Sequence, residues 1–163
     1  MSLGVRSTYL LMFFGCLGLI LIALYFQHGM GMHPCPLCIT QRIFVIAVGL
    51  IALAAALHNP GRRGRWIYSL SGILMAAIGL GVALRHVWIQ SLPEDQVPAC
   101  GPGLTYMFEN FPLGEAFELL FQGDGNCADI TWSLLGLSMP AWVAVCFVGL
   151  IGLNLWQALR SAP

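Results

Sequence analysis

Two of the chain's six cysteines stand three residues apart in His33-Pro34-Cys35-Pro36-Leu37-Cys38. Cysteines at that spacing can close a small disulfide ring, and Pro36 limits the backbone freedom between them. An apolar run follows, so the motif opens a helix, where a proline in the first turn removes no hydrogen bond. A cysteine at a helix start meets the positive end of the backbone dipole, which favours the thiolate. The thiolate is the form that attacks disulfides and donates electrons. Arg42 lies four residues beyond Cys38 and shares its helix face. It can stabilise that thiolate, hydrogen-bond a carbonyl of a bound electron acceptor, or reach anionic groups in its surroundings. A soluble thioredoxin-like motif would need a strand before it and an amphipathic helix after it, but apolar spans flank this one. A c-type haem attachment would need His at the position of Ile39.

A second pair of cysteines is far apart in sequence. Cys100 sits in Pro98-Ala99-Cys100-Gly101-Pro102-Gly103 and Cys127 in Gly123-Asp124-Gly125-Asn126-Cys127. Both settings are rich in turn formers, which predicts mobile backbone. A disulfide here would be either a structural staple or a bond opened by another protein's thiol, and the flexible flanks favour the second. Cys35, Cys38, Cys100 and Cys127 together offer four thiols to zinc, yet the second pair lacks the close spacing of common zinc knuckles. Asp124 and Asn126 lack the rest of a calcium loop. Between the pair, Phe111, Phe117, Leu119, Leu120 and Phe121 interleave with Glu115 and Glu118. This pattern suits a short interfacial helix on the membrane surface or a cap over the bundle. Cys16 and Cys146 lie within apolar segments, where cysteine behaves as a small apolar residue.

The elements that position these residues are set by composition. Hydrophobic residues make up 58% of the 163 and charged ones 9%, too few charges to cover a soluble globule of this size. Net charge is zero and lysine is absent, so nucleic acid is not an expected partner. Four apolar runs, residues 9–26, 43–57, 66–84 and 141–159, approach the roughly 20 residues a helix needs to cross hydrocarbon. The second run is short, about 15 residues or roughly 22 Å. To span, it must recruit residues ahead of Ile43, which places Cys38 and Arg42 at the membrane boundary. The first run exceeds the roughly 7–15 residues of a signal-peptide core and no Ala-x-Ala-like site follows it, so it is expected to be retained. Gly72 with Ala76, and Ala77 with Gly81, supply small-x-x-x-small spacings for packing on the third helix.

The expected architecture is an all-α membrane protein, one domain over residues 1–163. It is a four-transmembrane-helix bundle with helices at about 9–27, 40–58, 66–85 and 140–159. A short first loop, about 28–39, and a long second one, about 86–139, face the outside. Arg6, Arg62, Arg63, Arg65 and Arg160 fall on one side of this layout. Arg42, Arg85 and every acidic residue from Glu94 to Asp129 fall at the other. The positive-inside rule then puts both termini in the cytoplasm. Cys35, Cys38, Cys100 and Cys127 are left on an oxidising face that can hold disulfides.

Phe26-Gln27-His28, Pro34-Cys35-Pro36-Leu37-Cys38-Ile39, Arg42, the pair Cys100 and Cys127, and Trp132 through Leu137-Ser138-Met139-Pro140 with Trp142 resemble the DsbB family, disulfide bond formation protein B. The resemblance runs in order over most of the chain. It implies an inner-membrane protein-dithiol:quinone oxidoreductase with redox-active disulfides Cys35–Cys38 and Cys100–Cys127. It also implies two partners, a periplasmic thioredoxin-fold oxidase of the DsbA type and a membrane quinone, ubiquinone or menaquinone. By resemblance, the DsbA-type thiol attacks at Cys100, Cys127 attacks Cys35 before or after the partner is resolved, and Cys38 is freed beside the quinone. Arg42 polarises that quinone, and His86 contacts its ring or supplies a proton. Gln41 departs from relatives that carry an acid there. Three other readings fit parts of the pattern. They are a vitamin K epoxide reductase-like enzyme, a haem-binding membrane anchor using His28 and His86, and a structural protein with inert disulfides. The position of the Cys-x-x-Cys at the second span disfavours the first of these.

Overall fold

The computed structural model describes residues 4–97, 112, 114, 121, 123, 125–130 and 132–160. Four long helices account for most of them: α1 (Val5–His28), α2 (Pro36–His58), α3 (Arg62–Gln90) and α4 (Met139–Leu159). At 1.5 Å per residue even the 21-residue α4 is about 32 Å long, enough to cross a hydrocarbon core of about 30 Å. Within the bundle, only 17–39% of each helix's most apolar window is buried. Leu11, Phe14, Leu21, Leu50, Ile67, Leu70 and Leu74 all point outward. That much outward apolar surface requires an apolar solvent, and the chain is a multi-pass membrane protein.

Local chemistry fixes the helix ends. Cys35 is the N-cap of α2, its sulfur accepting from the Cys38 backbone N–H, and Pro36 follows at the first helical position. The Cys-Pro-Leu-Cys motif is therefore the first turn of α2 itself. Asn59 closes α2 in the left-handed conformation at φ 43°, and Pro60 and Gly61 complete a three-residue turn into α3. α3 runs on past the apolar pattern, through Arg85 and His86 to Gln90, because Val87, Trp88 and Ile89 continue it. Pro93 bars further extension. Ahead of α4 a two-stranded hairpin, β1 (Ser133–Leu134) and β2 (Leu137–Ser138), turns through Leu135 and Gly136, both at positive φ.

Helices neighbour one another in chain order. α1 packs on α2, α2 on α3 and α3 on α4, while α1 and α4 barely meet. The buried stripe of α3 is Arg65, Ser69, Gly72, Ala76, Gly79, Ala83 and His86, alternating steps of four and three residues. A methyl group on Gly79 would lie 2.4 Å from the Phe147 ring, and one on Gly72 would lie 2.5 Å from the Asn154 amide oxygen. Small residues at those two points let α4 approach. Of the two expected spacings, Gly72 with Ala76 is on this seam. Ala77 and Gly81 face outward, because the stripe continues through Gly79 and Ala83 instead.

Where the layers meet, three clusters form. A central one joins Cys16, Val48, Ala76, Phe147 and Leu150. Another, at the α2–α3 turn, gathers Tyr9, Met12, Ala52, Ala55 and Ala56. The third, at the opposite end, contains Cys35, Leu37, Val82, Ile89 and Cys127. The expected interfacial helix lies outside the described residues except for Pro112, Gly114 and Phe121, the last beside Phe44.

Candidate functional site

The third cluster holds the chemistry. The start of α2 delivers Cys35 and Cys38, whose sulfurs are 3.1 Å apart as a dithiol, with the Cys35 S–H donating to the Cys38 sulfur. The last turns of α3 deliver His86, buried, with Nε2 3.7 Å from the Cys35 sulfur. Cys127 arrives from the long loop on a single turn of 3-10 helix, Gly125–Cys127. Gly123 makes that descent feasible. Its φ is +74°, and a methyl group on it would lie 2.7 Å from Leu37. The Cys35 sulfur, the Cys127 sulfur and a His86 ring nitrogen all lie within 4.8 Å of one another. Cys100 lies outside the described residues, so the placement is of three cysteines of the expected four.

His86 is held on both ring nitrogens. Nδ1 faces the Gln41 side-chain amide at 3.1 Å, and Nε2 faces the backbone carbonyl of Cys127 at 3.1 Å. With the amide nitrogen donating to Nδ1, the ring is the neutral Nε2–H tautomer, which donates to the Cys127 carbonyl. α2 and α3 together thus clamp the loop cysteine above Cys35. The Cys35 thiol is pushed well above the ordinary thiol range by hydrogen bonds to Cys127 and Cys38 and by burial. It stays protonated in the dithiol and serves as a donor.

Arg42 points the other way, toward α1, donating to the Gln27 side-chain oxygen and to the Ala23 carbonyl at 3.2 Å. Beside it is a cavity of about 270 Å³, near the lower end for small-molecule sites. α1, α2 and α4 wall the cavity. The 133–138 hairpin, with the Trp132 ring tilted against Phe26 at 5.4 Å and Trp142 donating to the Leu134 carbonyl, covers one end. Its lining is almost wholly apolar, with Gln41, Arg42 and Cys38 grouped at one edge. Of the three clustered cysteines described, Cys38 is the one that lines it. His86 faces the sulfurs and does not line the cavity. Cys16 is core, packed against Gly49, but Cys146 reaches the cavity wall.

Sequence reasoning noted Gln41 for its missing charge and missed its contact with His86. The two residues are 45 positions apart, and no periodic signal links them. His28 is exposed, while both nitrogens of His86 are engaged, so nothing here favours the haem reading.

Known proteins resemble this chain along nearly its whole length. A family model described as "Disulfide bond formation protein DsbB" matches residues 5–157. A relative named "Disulfide bond formation protein B" from Saccharophagus degradans is 62% identical over 157 residues, covering 96% of this chain and 95% of its own. Proteins of the same name from Nitrosococcus oceani and Methylococcus capsulatus are each 51% identical. They cover 99% and 95% of this chain, and 95% and 96% of their own lengths.

Proposed function

The chain belongs to the DsbB family of disulfide-forming oxidoreductases, and from that premise we propose that it oxidises a periplasmic DsbA-type dithiol protein and passes the electrons to a membrane quinone. The carrying observation is that Cys38 has two faces, one on the Cys35 sulfur and one on an apolar cavity.

The thiol chemistry balances in three exchanges and a return step. A thiolate of the reduced partner attacks Cys100 of a Cys100–Cys127 disulfide, forming a mixed disulfide and releasing Cys127 as a thiolate. Cys127 attacks Cys35 of the Cys35–Cys38 disulfide, so a Cys35–Cys127 bond forms and Cys38 leaves as a thiolate. The partner's second thiolate resolves its mixed disulfide and departs oxidised, releasing Cys100 as a thiolate; Cys100 then attacks Cys127, which restores Cys100–Cys127 and leaves Cys35 and Cys38 as the reduced pair. The 4.8 Å neighbourhood of Cys35 and Cys127 supports the middle step, since little movement separates their sulfurs. The clamp from Gln41 through His86 to the Cys127 carbonyl supports it further by fixing the attacking residue's backbone.

A quinone fits the cavity, which offers apolar walls, aromatic side chains and one cationic edge. When bound it supplies an acceptor for two electrons and two protons. Phe26, Trp132 and Trp142 would flank its ring. Arg42, tethered by Gln27 and the Ala23 carbonyl, would donate toward a ring oxygen and favour negative charge there. Cys38, at the same edge, would be the electron donor. In this reading the cysteine loops face the periplasm and both termini face the cytoplasm, as the arginine distribution suggests.

The test is quinone reduction by purified protein with a reduced thioredoxin-fold partner, for wild type and for Cys35→Ser, Cys38→Ser, Cys100→Ser and Cys127→Ser. Each substitution should abolish turnover. Full turnover by Cys38→Ser would overturn the relay, because no other clustered cysteine described lines the cavity.

A further inference from the structure

We propose that the reduced protein binds one zinc ion through Cys35, Cys38, Cys127 and His86, and that bound zinc holds the cysteines out of exchange. The second clause rests on the proposed relay; the first does not.

Zinc sits about 2.3 Å from thiolate sulfur and about 2.0–2.1 Å from imidazole nitrogen, so tetrahedral ligand atoms stand roughly 3.5–3.8 Å apart. The Cys35 sulfur and His86 Nε2 are 3.7 Å apart. Cys35, Cys127 and His86 lie within 4.8 Å of one another, and Cys38 lies 3.1 Å from Cys35. The three mutually close ligands can close on an ion by ordinary side-chain rotation, and Cys38 reaches the fourth position from its place beside Cys35. Disulfide exchange explains why sulfurs gather here. It does not require an imidazole nitrogen at ligand distance with a side-chain amide behind it. A zinc-ligating histidine usually passes its other N–H to an acceptor that fixes the ring. Gln41 already stands 3.1 Å from Nδ1 and, by turning its amide, presents Oε1 to an Nδ1–H. Nε2 would then exchange its bond to the Cys127 carbonyl for the metal.

The site exists in one redox state. Each cysteine that starts as a thiol gives up its proton on binding, up to three per ion, and three thiolates with one neutral imidazole leave a complex of net charge −1. Closing Cys35 and Cys38 into a disulfide removes two of the three thiolates, and the set is no longer a zinc site.

Cobalt is the probe, because tetrahedral thiolate–cobalt complexes are strongly coloured. Detergent-purified protein reduced with a phosphine is titrated with Co²⁺, and zinc then displaces it. One Co²⁺ per chain with sulfur-to-metal absorption, bleached by an equimolar amount of Zn²⁺, is the expected result. The same protein oxidised before titration should show neither band, and because its fold is intact this arm does not depend on any substitution. Gln41→Leu should weaken zinc binding about 10–100-fold, and His86→Ala by more. Absent sulfur bands, equal binding by the oxidised protein, or unchanged affinity in His86→Ala would each overturn the site. Turnover assayed in parallel separates the two readings. Cobalt binding without loss of activity sinks the inhibition, whereas a protein that is inactive from the outset but binds cobalt sinks the relay and leaves the metal site standing.

Discussion

Cys35 and Cys38 share one helix turn yet meet different neighbours. Cys35 is buried against Cys127 and His86, and Cys38 borders the cavity beside Arg42. The side chains around them divide the work in ways that can be measured. Arg42 makes two directed contacts to α1, and a lysine would keep the charge without the planar fork. Arg42→Lys should therefore raise the apparent KM for quinone roughly 10–100-fold, the worth of a charged hydrogen bond of about 1.5–3 kcal/mol. The rate of partner-thiol exchange should change little, and stopped-flow measurement of the two half-reactions would show whether it does. Gln41→Leu leaves Nδ1 of a buried ring without its partner, a penalty of about 1–3 kcal/mol that unfolding in mixed detergent would register. It should also slow attack by Cys127, since the clamp on that residue's carbonyl loosens. Little of this was legible in the sequence. The Cys-x-x-Cys and Arg42 announce themselves by spacing, but the partnership of Gln41 with His86 depends on how two helices are rotated about their axes.

Helices were far easier to read than their faces. Four apolar runs gave four helices, because in lipid an unbroken apolar stretch has no other way to satisfy its backbone. Ends were set by finer signals. α2 begins at its N-capping cysteine and proline, and α3 carries His86 on its final turns through a polar pair that the apolar pattern treats as loop. Which small residues form the α3–α4 seam was legible for Gly72 and Ala76 and not for Gly79 and Ala83, because in a span rich in glycine and alanine several registers look alike. The seam makes a paired prediction. Gly79→Ala drives a methyl into Phe147 and should destabilise the bundle by about 1–3 kcal/mol. Gly81→Ala meets nothing within 4 Å and should be neutral or slightly stabilising, because alanine is the better helix former. Equal effects in a detergent unfolding series would refute the register.

On the scale of the whole molecule, orientation governs everything the relay can do. Arginines crowd the α2–α3 turn and the outer ends of α1 and α4, while the acids lie in the long loop. A fluorescent protein fused after Pro163 should fold and glow in the cytoplasm, and an alkaline phosphatase fused there should stay inactive. Reversed reporters would place the cysteines where reductants reach them and would end the proposal. The bundle is also open on one flank, since α1 and α4 barely meet and the cavity lies between them. A ligand entering by that flank never crosses water. It diffuses within a two-dimensional solvent, so its effective concentration is a mole fraction among lipids, and a KM quoted per litre of buffer would drift with the amount of detergent or lipid added. Titrating the acceptor at fixed mole fraction while diluting the vesicles should leave the rate per protein unchanged.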